Sequence, residues 1–238
     1  MFTAVTTDPL ALGLEVNRAT ARFLDSAETL TDANVSEPSL LPGWTRGHVL
    51  THVARNADSL INLLNWARTG VETRQYAKPG DREAGIEAGA ARPIAAQVAD
   101  VREASARFAD ACDNMPAETW TVVLADAGPA AGVVWRRLRE VEVHHVDLAA
   151  GYTWRDWPDS FTHRLLHELI TIRRGGDPPP VRLQPAGLSH PLDLGTGTPA
   201  VTIGGSPQDI AAWLGGRSNG GGLTVDPPGD LPVIPDWM

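Results

Sequence analysis

Cysteine is nearly absent from this chain of 238 residues, which contains a single cysteine, Cys112. One thiol cannot form an intramolecular disulfide framework, and it excludes a zinc site built from several cysteines. If the chemistry of the protein needs a reactive thiol, the sequence therefore predicts that this thiol arrives as a separate molecule.

Basic residues are also scarce: 20 lysines and arginines stand against 29 aspartates and glutamates, which gives a formal net charge of −9. Nucleic acids and anionic membranes bind basic surfaces, so the charge argues against both as partners. No apolar run approaches the roughly 18–20 residues of a membrane span. The first residues, MFTAVTTDPL, have no basic stretch and no small-residue cleavage pattern, so we expect a cytoplasmic protein rather than a secreted one.

Apolar residues at helical spacing predict four long helices between about residues 8 and 150. The second begins at the N-cap Thr45 and ends near Gly70, the third covers 93–114, and the fourth covers 131–150. Four helices joined by loops of these lengths favour an antiparallel bundle. The apolar stripe predicted for the first helix consists of Leu10, Leu14, Ala21 and Leu24.

The character of the sequence changes after Gly151, which predicts two domains, a helical one at 1–154 and a small α+β domain at 155–238. One helix is expected at 161–174 and a capped helix at 206–216. Short apolar runs between glycine and proline clusters predict strands. These runs are VRLQP, HPLDL, AVTIGG and GLTVD. The expected fold class is mainly α, a four-helix bundle followed by a small α+β C-terminal domain.

Four of the seven histidines lie in two short helical patterns, GWTRGHVLTH at 43–52 and REVEVHHVDL at 139–148. Glu140 and His144 are four residues apart, so both project from one face of the fourth helix. A histidine of the second helix could complete a three-ligand site with one open position, which is the arrangement of a catalytic zinc ion. Helical bundles build such sites from inward-pointing glutamates and histidines.

The spacing leaves other assignments open. His48 and His52 are themselves four residues apart, and Glu142 and His145 are three apart. Histidines on helices are also common as hydrogen-bonded or surface residues without a metal. Glu140 could equally form an ordinary ion pair with an arginine of its own helix, worth about 0.2–0.5 kcal/mol. Spacing alone does not decide among these assignments.

The two patterns together resemble the mycothiol-dependent maleylpyruvate isomerases. The resemblance rests on LLPGWTRGHVLTHVARNADSL, on RLREVEVHHVDL and on the C-terminal AAWLGGRSNGGGL. Members of that family are DinB-like metalloenzymes, four-helix bundles that carry a divalent metal. The second histidine of the first motif, and the glutamate and histidine of the second, bind zinc there. The resemblance thus implies His52, Glu140 and His144 as metal ligands, with His48 beside the site and Asp147 placed to orient a ligand imidazole.

The resemblance also implies an activity. It points to a cis–trans isomerase that converts maleylpyruvate to fumarylpyruvate by thiolate addition, bond rotation and elimination, with zinc or another divalent metal and mycothiol as cofactors. Arg82 and Arg217 are implied as catalytic residues that hold the substrate's carboxylates, which arginine binds through paired hydrogen bonds. Arg82 itself lies in the stretch after the second helix that begins with Pro79, Gly80 and Asp81, which is rich in helix breakers and predicted to be a loop. Arg217 lies in a glycine-rich segment, which would let its side chain approach a ligand closely. Arg217 is therefore also expected to bind the cofactor.

Other functions share the same motifs. A mycothiol S-transferase would use the same activated thiol and keep the conjugate. A metal-dependent hydrolase would keep water at the open position. A non-catalytic metal-binding bundle would show no turnover. The helical motifs specify only activation of a thiol or of water, so they do not separate these alternatives.

Overall fold

A computed structural model of the chain describes residues 8–125, 127–171 and 177–235. The chain divides into two compact units, one that ends at Tyr152 and one that begins at Thr153. The first seven residues of the predicted helical domain, the end of the helix predicted at 161–174 and the last three residues of the chain lie outside the described residues. None of the helices in the described ranges combines the length and the hydropathy of a membrane span.

Four long helices build the N-terminal unit: α1 (Pro9–Ala27), α3 (Arg46–Thr69), α5 (Ile94–Asp113) and α6 (Ala131–Asp147). Helix α3 packs against α5 and α6, and α1 packs against the same two helices, so the four close into the predicted bundle. Two shorter helices, α2 (Asp32–Val35) and α4 (Asp81–Ala90), flank α3 in the sequence. A 3-10 turn (Ala117–Thr121) and a hairpin of β1 (Val123–Leu124) and β2 (Gly128–Pro129) precede α6.

Helix α3 begins and ends where the sequence predicts. The hydroxyl of the N-cap residue Thr45 accepts a hydrogen bond from the backbone N–H of His48. Gly70 ends the helix with a φ of 73°, the left-handed conformation that glycine adopts without strain. Between these ends most of the helix is buried, because α4, α5 and α6 all pack against it.

The buried face of α1 differs from the predicted stripe. None of the four residues predicted to face the core is buried, and Leu10 and Leu14 are 67% and 60% exposed. The prediction for this face was wrong because the inward direction of α1 is set by α5 and α6, which pack against it from elsewhere in the chain. The apolar residues that α1 buries are Leu12, Val16, Ala19, Phe23 and Ala27.

The stretch around residues 79–81, predicted to be a loop, leads directly into helix α4. Gly80 adopts a φ of 89° at the N-cap, and Asp81 and Glu83 place negative charge in the first turn, where the helix dipole favours it. Arg82 therefore lies in the first turn of a helix rather than in a loop. The breaker residues mark the start of that helix.

Glycine at position 47 allows α3 and α4 to approach closely. A Cβ atom at Gly47 would lie 1.9 Å from the backbone oxygen of Ala90 and 2.9 Å from Nε2 of Gln97. The Gln97 side chain is itself buried and donates to the same Ala90 oxygen at 3.0 Å. This contact fixes the end of α4 against the start of α3.

Gly47→Ala is therefore expected to lower the free energy of unfolding by about 1–3 kcal/mol, the usual cost of overpacking a core. Gly85→Ala is the matched control, because its nearest contact would be an ordinary 3.9 Å to the Arg55 side chain. That control should be neutral or slightly stabilising, since alanine favours a helix over glycine. Urea unfolding of both variants measures the difference, and equal stabilities would contradict the close approach.

The C-terminal unit has the predicted α+β character. It contains α7 (Asp159–Thr171), α8 (Pro207–Leu214) and the strands β3 (Val181–Pro185), β4 (Leu192–Leu194), β5 (Val201–Gly205) and β6 (Thr224–Asp226). The strand order is β4-β3-β5-β6, with β3 and β5 parallel and the other pairs antiparallel. The side chain of Ser206 caps α8 as predicted, accepting from the backbone N–H of Asp209.

Candidate metal centre

Three side chains from α3 and α6 converge in the bundle. Nε2 of His52 lies 3.0 Å from a carboxylate oxygen of Glu140 and 3.0 Å from Nε2 of His144. The same Glu140 oxygen lies 3.4 Å from Nε2 of His144. Both histidines are buried, whereas the Glu140 side chain is 16% exposed. The structure thus brings together the three residues that the resemblance implies as ligands.

A buried carboxylate sets the orientation of His144. The Nδ1–H of His144 donates to Oδ2 of Asp147 at 2.8 Å, and the Asp147 side chain is 1% exposed. This bond keeps a proton on Nδ1 and directs Nε2 toward His52 and Glu140. A carboxylate behind a ligand imidazole is the usual partner of a metal-binding histidine. Asp147 therefore makes the contact that its predicted role, to orient the His144 imidazole, requires.

The surroundings favour neutral His52 and ionised Glu140. Burial, followed by the nearby His144, lowers the pKa of His52 to about 4. Burial alone would raise the pKa of the Glu140 carboxyl, but hydrogen bonds with His144 and His52 outweigh it and hold that pKa well below its usual value. At neutral pH His52 therefore presents a neutral imidazole and Glu140 a carboxylate, the forms in which these side chains bind metals. For His144, burial would lower the pKa, but hydrogen bonds to Asp147 and Glu140 outweigh it and raise that pKa.

The donor set fits a divalent metal. Ligand atoms of the three residues all lie within 4.8 Å of one another. Lone pairs this close repel one another unless a proton or a cation lies among them. His52 Nδ1 is buried and has no hydrogen-bond partner in the described part of the chain. The His52 ring therefore contacts the other two residues of the cluster through Nε2. Two imidazoles and one carboxylate suit zinc and also iron or nickel.

An arginine in the first motif holds the two ligand helices together. Arg46, the first residue of α3, donates to the backbone oxygens of Leu148 and Ala149, just beyond the end of α6. Carbonyls at a helix C-terminus have no partner within the helix, so the guanidinium satisfies two of them. The backbone N–H of Leu40 donates to the backbone oxygen of Asp147, at the same end of α6. These contacts place the start of α3 beside the end of α6 and bring His52 opposite His144.

His48 has other partners. Its Nδ1 accepts from the backbone N–H of Thr45 at 3.1 Å and from the Thr45 hydroxyl at 2.7 Å, and its Nε2 lies 3.1 Å from Glu87. Both ring nitrogens are thus engaged at the start of α3. The alternative ligand pair of His48 with His52 is not assembled.

Glu142 and His145 lie on the other flank of α6, against α1. Glu142 forms a salt bridge with Arg22 and accepts from the Tyr152 hydroxyl at 2.7 Å. Nε2 of His145 lies 2.8 Å from the Ser26 hydroxyl, and its ring stacks on Tyr152. Both side chains are buried in this second polar cluster, so they are not brought to the His52 cluster.

A family profile described as the mycothiol maleylpyruvate isomerase N-terminal domain matches residues 16–149, more than half of the chain and all three cluster residues. The chain belongs to this family. A crystal structure of the mycothiol-dependent maleylpyruvate isomerase is similar over 96% of this chain and 97% of that one, with a TM-score of 0.86 and 29% identity. A crystal structure of an H52A mutant of that isomerase matches equally well. No curated protein matches the chain.

Arg82 lies beside the cluster in this family member. Its guanidinium carbon is 5.6 Å from the centre of the Trp44 ring, and the edge of that ring packs against His52. Arg82 also lies 3.2 Å from Glu83, and its side chain is 36% exposed. The positive charge is near enough to contribute to the lowered pKa of His52. Arg82 is thus a partly exposed cation close to the candidate metal centre.

Arg217 belongs to the C-terminal unit, directly after α8. Its backbone N–H donates to the Ala212 oxygen, and its guanidinium donates to the Gly215 oxygen at 2.9 Å. Gly216, with a φ of 71°, makes the turn that allows both contacts. The predicted roles of Arg217 toward substrate and cofactor stay predictions.

Cys112 cannot serve as a thiolate nucleophile at neutral pH. Burial, reinforced by the charge of Asp113, raises the pKa of its thiol to about 12. Reactive cysteines have lowered pKa values instead. The single cysteine of the chain is therefore a poor source of a thiolate at neutral pH.

Sequence reasoning missed two residues near the centre, Arg46 and Tyr76. Arg46 had a detectable signal, because a cation in the first turn of a helix opposes the helix dipole and needs another reason to be there. Tyr76 had none, since it lies in an irregular segment. Burial raises the pKa of its phenol, and the charges of Arg82 and Glu140 also act on that pKa.

Proposed function

We propose that this chain is a metal-dependent, mycothiol-dependent cis–trans isomerase that converts maleylpyruvate to fumarylpyruvate. The observation that carries the proposal is the convergence of His52, Glu140 and His144, with Asp147 behind His144, in a chain of this family. The full-length similarity to a mycothiol-dependent maleylpyruvate isomerase supports the same activity, substrate and thiol. Zinc is the metal we propose, because neutral imidazoles and one carboxylate are its common catalytic ligands.

Each proposed ligand has a defined role. Nε2 of His52, Nε2 of His144 and the Glu140 carboxylate would hold the metal, and Asp147 would keep the His144 proton on Nδ1. A bound divalent metal would supply positive charge that favours the thiolate of mycothiol over its thiol at neutral pH. Glu140 is partly exposed, so the thiol and the substrate would approach the metal from the side of this residue.

The reaction needs no net oxidation or reduction. The mycothiol thiolate forms a carbon–sulfur bond to one alkene carbon, and the π electrons move into the adjacent carbonyl to give an enolate. The former double bond is then single and rotates. The enolate electrons reform the double bond in the trans geometry and expel the thiolate, so the thiol is regenerated. Arg82 would bind the carboxylates of the substrate and stabilise the developing negative charge, and we propose the same role for Arg217.

The test is an assay of maleylpyruvate isomerisation by the purified protein with mycothiol and metal omitted in turn. We expect turnover only when both are present, loss of turnover after chelation, and recovery when zinc is restored. Mycothiol consumption without isomerisation would replace this proposal with an S-transferase. Metal-dependent hydrolysis at a rate that ignores mycothiol would favour a hydrolase, and no turnover with any thiol would leave a metal-binding bundle.

A further inference from the structure

Arg137 is the largest side chain that the described part of the protein buries completely. One guanidinium nitrogen donates to the backbone oxygen of Val53 at 2.7 Å and to Oδ1 of Asn56 at 3.0 Å. The other terminal nitrogen donates to the Ser105 hydroxyl at 3.1 Å. Arg137 therefore joins α6 to α3 and α5 through three neutral acceptors. None of the described carboxylates lies within salt-bridge distance of it.

A buried cation without a paired carboxylate is an expensive way to fill a core. Transfer of a charged group out of water is costly, and well-packed apolar residues often replace buried charges without loss of stability. Burial lowers the pKa of Arg137 to about 10, and the charge that most opposes this effect is that of Glu140. A guanidinium at this pKa stays charged at neutral pH. Stability alone is thus a weak reason for an arginine here.

The place of Arg137 on α6 gives another reason. It precedes Glu140 by three residues and His144 by seven, so all three lie on one stripe of the helix. Its acceptor Val53 directly follows His52 on α3. Arg46 ties the opposite end of the same pair of helices at Leu148 and Ala149. The candidate metal ligands therefore lie between two arginine contacts that join α3 to α6.

We propose that Arg137 is a positioning residue of the metal centre, whose guanidinium forks between α3 and α5 and so fixes Glu140 and His144 at the height of His52. It does not touch the reacting atoms. The fork matters because one nitrogen bonds Val53 and Asn56 of α3 while the other bonds Ser105 of α5, so a single planar group fixes α6 against both helices. This inference rests on the proposed metal site and extends it beyond the three ligands.

The test compares Arg137→Met and Arg137→Lys with Leu138→Ala. Leu138 is 1% exposed on the same helix and has no polar group, so its truncation destabilises α6 without removing the fork. Three quantities are measured for each protein: thermal unfolding of the apoprotein, zinc affinity by competition with a chromophoric chelator, and the visible absorption spectrum after cobalt substitution. The spectrum reports ligand geometry without relying on turnover.

We expect both Arg137 variants to bind zinc about 10- to 100-fold more weakly and to alter the cobalt spectrum, the range of loss known for residues that orient metal ligands. Leu138→Ala should lower the melting temperature but keep the parent affinity and spectrum. Parent-like zinc affinity in folded Arg137→Met would overturn the proposal. Full rescue by lysine would also overturn it, because a point charge would then suffice without the fork.

Asn56→Leu provides a second route that keeps the guanidinium and removes one acceptor. It should shift zinc affinity in the same direction, by less than the arginine substitutions, and an unchanged affinity would count against the inference. A parent protein that binds no zinc at all would instead refute the proposed metal site. The two failures are therefore distinguishable.

Discussion

Replacing His52 with alanine is expected to abolish metal retention and isomerisation while the bundle remains folded. Loss of an outer partner of a ligand already lowers metal affinity by about 10- to 100-fold, so loss of the ligand itself should exceed that range. Alanine is the best helix former, and the neighbours of His52 on α3 are largely buried, so the helix should persist. Metal content after dialysis, turnover and circular dichroism measure the three outcomes.

His48→Ala is the matched control for this prediction. His48 lies one turn earlier on α3, but its ring contacts Thr45 and Glu87 rather than Glu140 and His144. The control should lose some stability at the start of α3 and keep its metal. If His52→Ala retained metal at the parent stoichiometry, or if His48→Ala lost it, the ligand assignment would be wrong.

Replacing Arg82 with methionine should lower kcat/KM for the dicarboxylate by about 10- to 150-fold and leave metal content unchanged. A hydrogen bond to a charged group contributes about 1.5–3 kcal/mol, and each 1.4 kcal/mol is about a factor of ten. The metal should stay because Arg82 contacts Trp44 and Glu83, not the three ligand atoms. Steady-state kinetics together with metal analysis test both statements.

Arg74→Met controls for the loss of a positive charge from the same region. Arg74 is exposed and pairs with Glu72, so its removal should leave kcat/KM close to the parent value. Equal losses in the two variants would indicate a general effect of charge. Parent-like kinetics in Arg82→Met would remove this residue from the substrate site.

The sequence predicted most of the bundle because its signals are local. Thr45 and Gly70 mark the ends of α3 through capping and left-handed backbone, which depend on a few neighbouring residues. The face that α1 buries could not be read in the same way. Leu10 and Leu14 look like core residues in isolation, yet the helix turns Val16 and Phe23 inward. That choice depends on α5 and α6, which pack against α1 from elsewhere in the chain.

Helix α4 was missed for a different reason. Gly80 and Pro79 are breakers by propensity, but Gly80 occupies an N-cap with positive φ, so here it starts a helix. The close approach of Gly47 to Ala90 then holds α4 on α3. A contact between positions this far apart in the sequence leaves no periodic signal in either segment.

The spacing of Glu140 and His144 predicted a shared helix face, but it could not choose between His48 and His52. Both histidines follow Thr45 on one helix, and only position relative to the cap separates them. His48 is the third residue of α3, where its ring accepts from the N-cap residue in a capping box. His52, one turn further on, is free of the cap and meets α6. The family resemblance made the same choice on other grounds.

The most direct test of the account is a crystal structure of the zinc-loaded protein with anomalous data collected on both sides of the zinc absorption edge. We predict one strong anomalous peak about 2.0–2.2 Å from Nε2 of His52, Nε2 of His144 and a Glu140 oxygen. A peak at His48 and Glu87, or the absence of any peak among the three predicted ligands, would contradict the central claim.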